Sequence, residues 1–149
     1  MEGLKIAREH NLPKEICDFI LTHHGRGKVR YFYIQWKNNH PGEQVDESAF
    51  TYPGPNPMTK EQAVLMICDG VEAASRSLPE YTAENISALV NSIVDGIVSE
   101  GYLRRCPISF LDIEVAKRTL VESLKRTYHT RISYPEQKKE DVQPIQDNL

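Results

Sequence analysis

The sequence has no apolar run approaching the roughly 20 residues needed to cross a bilayer, so nothing in it reads as a membrane-spanning segment. Nor does it carry a surplus of positive charge. Its 18 Lys and Arg against 21 Asp and Glu leave a formal net charge of −3, which excludes the electrostatic footprint of a protein that wraps DNA or coats an anionic membrane. There is no CxxC pair, no glycine-rich phosphate loop and no Ser/His/Asp order, so dithiol, P-loop and triad chemistries have no starting point. The three cysteines, Cys17, Cys68 and Cys106, are odd in number and far apart. Cys17 and Cys68 sit inside apolar helical patterns, so the set reads as reduced thiols of a cytosolic compartment. A secretory leader is also lacking: MEGLKIAREH enters a helical pattern at once, which suggests a boundary drawn within a longer chain.

What is present suits one soluble domain, with 149 residues, 40% of them hydrophobic and 26% charged. Residues around Lys5 to Ala7 begin a helix that gives way near Asn11 and Pro13. After Pro13, Ile16, Phe19 and Ile20 define one apolar helical face that His23 and His24 continue, until Gly25 and Gly27 break it. Val29, Phe32, Tyr33 and Trp36 recur at helical spacing and predict a core face, with Tyr31 turned outward. Residues 41 to 58 hold Pro41, Pro53, Pro55 and Pro57 with Gly42 and Gly54, which excludes helix and central strand alike. Thr59 and Gln62 have capping-box spacing before an almost wholly apolar run from Ala63 to Ala74, which predicts a central buried helix. Thr82 caps a helix with Ile86, Leu89, Val90, Ile93 and Ile97 on one side, ended by Gly101. Ser109 and Asp112 open a last helix through Ile113, Ala116, Leu120 and Leu124. The pattern predicts an all-α domain without internal repeats over residues 1–135, and a polar, disordered tail over 136–149.

Three side chains on these helices need a chemical reason. His23 and His24 are adjacent at a helix end, pointing about 100° apart. They are either helix-terminal histidines favoured by the dipole or ligands of a metal. Asp69 lies in VLMICDGVEAA, where an unpaired buried carboxylate costs on the order of several kcal/mol. It must be protonated, paired with a base such as Arg76, or bound to a cation. A mixed imidazole and carboxylate set suits Mn²⁺, Fe²⁺ or Zn²⁺. His10, His40 and His129 read as surface or packing histidines.

The stretches DFILTHHG, AFTYPGPNPMTKEQAVLMICDGVEAASRSL and YHTRISYP resemble the cytosolic HD domain of the seven-transmembrane HD phosphohydrolases, bacterial membrane proteins that hydrolyse cyclic di-AMP. The resemblance covers nearly all of residues 1–135 and implies an HD-like helical bundle. In that family a dinuclear metal centre is held by histidines and aspartates from successive helices. By the same resemblance His23 and His24 match the tandem histidines of the later half, and Asp69 matches the final aspartate. The catalytic group is then a water activated by two divalent ions, with no protein nucleophile. Arg76 would offset phosphate charge, and Tyr52 and Lys60, which flank the PGPNP loop, would either line the nucleotide pocket or merely anchor the loop. Arg76 has the alternative of an intramolecular salt bridge or a helix cap.

No His-Asp dipeptide occurs in this sequence and no histidine precedes His10. The helices supplying the first ligands are therefore expected before Met1. Arg26 and Thr51 depart from the usual small polar residue and arginine. The expectation is the later part of a phosphodiesterase domain on the cytosolic side of an inner-membrane protein, inactive alone and holding one metal ion or none. Helices without their neighbours would expose apolar faces and favour homo-oligomers. Two alternatives are a helical nucleotide- or partner-binding regulatory module with a vestigial metal site, and a self-contained protein with a structural zinc.

Overall fold

In the computed structural model, residues 2–129 are described. The expected tail from 136 to 149 and the end of the YHTRISYP stretch lie outside the described residues. Six α-helices follow one another among them: α1 (Glu2–Glu9), α2 (Lys14–Thr22), α3 (Arg30–Asn39), α4 (Lys60–Ser75), α5 (Ala83–Ser99) and α6 (Phe110–His129). The described residues contain one isolated antiparallel bridge, between Lys28 and Thr51, and no strand. None of their helices is long and apolar enough to cross a membrane.

Each helix boundary has a local cause. Asn11 at φ 53° ends α1, with Leu12 N–H donating to Ala7 O at 2.9 Å and Asn11 N–H to Arg8 O at 3.1 Å, the paired bonds of a Schellman turn. Thr59 caps α4 by accepting from Gln62 N–H, and Thr82 caps α5 by accepting from Asn85 N–H. Ser109 and Asp112 satisfy each other at the start of α6. Asp112 N–H donates to Ser109 Oγ at 3.1 Å, and Ser109 N–H donates to the Asp112 carboxylate at 2.8 Å. Gly101, at φ 77°, turns the chain out of α5.

Two apolar clusters organise these helices. Ala63, Met66, Ile67 and Val71 of α4 pack with Val90 and Val94 of α5, Leu103 of the α5–α6 connection and Ile113 of α6. The five-residue face expected on α5 is therefore divided: Val90 is in the centre, while Ile93 and Ile97 are only half-buried. The second cluster joins Leu4 and Ala7 of α1 to Cys17 of α2. Contacts between α2 and α4 link the clusters.

Two expectations are corrected. The face predicted for α3 is not a core face: Phe32 is 57% exposed, and among the described residues the only element α3 packs against is a short 3₁₀ turn at Glu47–Phe50. Helical spacing reports an apolar stripe but not what covers it. Likewise α4 is central yet not buried all round, because Val64 and Leu65 are 40% and 38% exposed. With Phe19 and Cys68 they line an open apolar groove.

The α6 cap is tied to α4 by Lys60, whose Nζ lies 2.8 Å from Asp112 Oδ2. Hydrogen bonding to Lys60, reinforced by the Ser109 N–H and hydroxyl, holds the Asp112 carboxyl well below the usual carboxylate range. Ser109→Ala is expected to lower the unfolding free energy by about 1 kcal/mol, measured by urea denaturation. A folded pKa below the unfolded one contributes stability that is complete above the unfolded value near ~3.9 and fades as pH falls. Asp112→Asn should therefore destabilise the chain at pH 7, with the difference shrinking below about pH 4. An equal difference at both pH values would contradict this assignment.

Candidate metal centre and ligand cavity

The end of α2 is shaped by a tight turn. His23 N–H donates to Phe19 O, Gly25 N–H to Thr22 O at 2.9 Å and Gly27 N–H to His24 O at 2.9 Å. Gly25 has φ 53°, and a Cβ there would stand 2.6 Å from Met66 Cε and 2.8 Å from Asn56 Oδ1. Only glycine allows that backbone with α4 on one side and the proline-rich loop on the other.

The loop is fastened along the same turn. Tyr52 N–H donates to Gly27 O at 3.0 Å, Val29 N–H to Phe50 O at 2.8 Å, and Arg26 N–H to Asn56 Oδ1 at 2.9 Å. Gly54 lies flat on the last turn of α2, where an added Cβ would be 2.2 Å from Leu21 O. Pro57 is fully buried and its carbonyl accepts from the Cys106 thiol at 3.0 Å.

This fastening fixes three rings and a carboxylate. The His24 ring stacks on Tyr52, with centroids 4.2 Å apart and planes 21° apart, and lies 4.0 Å from the His23 ring. His24 Nδ1 is 3.3 Å from Asp69 Oδ2. His23 Nδ1 donates to Ile20 O at 2.9 Å, which leaves Nε2 as its lone-pair nitrogen in the neutral ring. Burial, and then the neighbouring His23, pulls the His24 pKa below the ordinary histidine range, against the opposing pull of Asp69. Asp69 itself is not enclosed as its sequence context suggested. Its side chain is 41% exposed, because it lies off the Ala63, Ile67 and Val71 stripe and opens into a cavity.

That cavity encloses about 510 Å³. At one end are His23, His24, Tyr52 and Asp69; the walls are Gly70, Ala73 and Ala74 of α4 against Ser92, Ile93, Gly96 and Ile97 of α5. Lys28, Glu100 and Tyr102 also line it. The α5 wall and Lys28 were not singled out in the sequence, where α5 shows only a core pattern. The available signal was the run of small residues that leaves room between two adjacent helices. Of the residues expected to meet a substrate, Tyr52 lines the cavity. Arg76 instead caps α4 and forks onto the Glu72 carboxylate at 2.7 to 2.9 Å, and Lys60 pairs with Asp112.

The donor atoms suit a cation in part. Two ligand atoms each roughly 2.1 Å from a small divalent ion at about a right angle are about 3 Å apart, close to the 3.3 Å between His24 and Asp69. Among the described residues, however, no group of three or more His, Cys, Asp or Glu side chains is placed to hold a metal. The structure brings two such donors together here, not three.

This is an all-helical domain with a histidine and aspartate pair at the mouth of a cavity between two helices. No family model matches the chain. It is 36% identical over 135 residues to the cyclic-di-AMP phosphodiesterase PgpH of Bacillus subtilis, covering 91% of this chain and 19% of that protein. The PgpH of Listeria monocytogenes is 37% identical over 137 residues, with 92% and 19% covered. An uncharacterized protein of Synechocystis is 36% identical over 137 residues, covering 90% of this chain and 17% of that protein. Among solved structures, the L. monocytogenes PgpH HD domain in complex with cyclic-di-AMP superposes with a TM-score of 0.78 at 36% identity, covering 85% of this chain and 58% of that one. The chain is homologous to PgpH and has the fold of its HD domain. It spans about a fifth of the length of these curated relatives.

Because Gly54 holds the loop against α2, Gly54→Ala should cost about 1 to 3 kcal/mol by overpacking. It should also move Tyr52 off His24. Denaturation together with the ring-current shifts of the His24 protons checks both. A parent-like spectrum would show that the close approach at Gly54 does not set the histidines.

Proposed function

We propose that this chain is the later part of an HD-type, metal-dependent phosphodiesterase domain acting on a cyclic dinucleotide, cyclic di-AMP in the first instance. The observation that carries the reading is the 3.3 Å approach of His24 and Asp69 at the end of a cavity that suits a nucleotide-sized ligand. Homology to PgpH over 91% of the chain supports it.

In this reading His24 and Asp69 would be ligands of a divalent ion, and His23 would offer Nε2 as a further ligand. Manganese, iron or zinc bound there would supply Lewis acidity toward a phosphodiester and lower the pKa of a water. The Tyr52 ring keeps the His24 imidazole in plane, and the His23 hydrogen bond to Ile20 fixes which nitrogen is presented. Lys28 also lines the cavity, with its charge paired to Glu47 at 2.6 Å. Tyr52 remains a substrate contact, whereas Arg76 and Lys60 serve their ion pairs.

The remaining ligands come from helices of the same domain outside this chain, and the groove of Phe19, Val64, Leu65 and Cys68 gives them an apolar surface. The parent protein is membrane-tethered with this domain in the cytoplasm.

The 149-residue chain with Mn²⁺ should show no turnover of cyclic di-AMP above a metal-only control. A protein extended to the full HD domain should turn it over. Either His24→Ala or Asp69→Ala there should lower kcat by about 100-fold or more. Hydrolysis by the short chain, or an unimpaired Asp69→Ala variant of the long one, would overturn the reading.

A further inference from the structure

Four glycines near the cavity have visible reasons to be glycine, Gly27 among them because a Cβ there would stand 2.9 Å from His24 O, and one does not. Gly101 needs its positive φ, and Gly25 needs both its φ and its close approach. Gly70 lets α4 meet α5, since a Cβ there would touch Ile93 Cγ2 at 3.4 Å and Ile97 Cδ1 at 3.6 Å. Gly96 lies inside α5 without a positive φ, and a Cβ added to it would meet nothing within 4 Å. A helix-interior glycine is less favourable than alanine for the helix itself. Neither a turn nor a packing contact accounts for it. What Gly96 does is line the cavity, on the α5 wall between Ser92 and Glu100 and beside Ile93 and Ile97.

We propose that Gly96 is a specificity-determining position: it lets a purine base of the ligand lie flat against the α5 backbone, and so sets the size of group the cavity admits. The identity of the ligand rests on the phosphodiesterase reading; the space at Gly96 does not. The cavity is divided by chemistry. The imidazoles and Asp69 suit divalent ions that would meet the phosphate, while Ile93, Ile97 and Tyr102 line the cavity together with Gly96. Apolar and aromatic walls suit the face of a base, and a helix without a Cβ permits close approach of its backbone.

The test uses the 149-residue chain, since every residue of this seat is in it. AMP is titrated to millimolar concentration and backbone amides are followed by NMR, for the parent, Gly96→Ala, Gly96→Leu and, on an exposed side of α5 outside the cavity, Asn91→Leu. The expected result is that AMP shifts the amides around Ile93 to Ile97 in the parent. Gly96→Ala and Gly96→Leu should melt at or above the parent temperature. Affinity should fall at least tenfold in Gly96→Leu and stay within about twofold in Asn91→Leu.

Parent-like AMP binding by Gly96→Leu, or no response of the α5 amides in the parent, overturns the proposal. A Gly96→Leu chain that fails to fold also overturns it, because open space at that position is the premise. If the α5 amides respond as expected while His24→Ala leaves turnover by the extended protein intact, the phosphodiesterase reading fails and the base seat stands. The reverse combination removes the base seat alone.

Discussion

The approach of His24 to Asp69 depends on two backbones being pressed together where no side chain intervenes. Gly54 of the loop rests on the Leu21 carbonyl of α2, and Gly25 passes between Met66 of α4 and Asn56 of the loop. Both contacts act within a few residues of the histidines. They aim the end of α2 at the middle of α4, and Asp69 waits there. The hydrogen bonds from Tyr52 to Gly27 and from Arg26 to Asn56 then hold the loop, so that the Tyr52 ring backs the imidazole. Elements far apart in sequence thus converge through short-range sterics.

The rest of the fold serves this convergence from two sides. The larger cluster fixes α4 against α5 and α6 through side chains that are fully buried, among them Ile67, Val71, Val90 and Val94, each contributing about 1.5 to 3 kcal/mol of burial. Small residues on facing sides of α4 and α5 leave the cavity between them. The smaller cluster holds α1 and α2 as a hairpin that brings the histidines to the mouth. Exposed apolar residues lie away from these contacts, on α3 at Phe32 and Ile34 and on α4 at Val64 and Leu65. They are the surfaces on which the proposed remainder of the domain would pack.

Much of this was legible in the sequence wherever a local rule decides the outcome. Thr59, Thr82 and Ser109 with Asp112 cap the helices they were expected to cap, because the hydrogen bonds join residues three positions apart. The breaks at Asn11, Gly25 and Gly101 follow from backbone conformation alone. The match of HHG and CDGVEAASRS to a known family brought His24 and Asp69 to one site, which no periodicity implies. The misses share a cause. An apolar stripe on α3, a cavity wall on α5 and the exposure of Asp69 depend on what faces each helix, and that is a tertiary fact. Arg76 illustrates the competition: Glu72, one turn back in the same helix, holds the guanidinium that sequence context offered to a phosphate.

The central claim is that His24 and Asp69 together form one edge of a divalent-cation site. Paramagnetic broadening of a labelled chain by substoichiometric Mn²⁺ tests it most directly. The account predicts that amide and side-chain signals of residues 23 to 25 and 68 to 70 broaden first, and that Asp69→Ala removes the effect while the chain stays folded. Broadening spread evenly over the surface carboxylates, or unchanged at His24 in the Asp69→Ala chain, would contradict it.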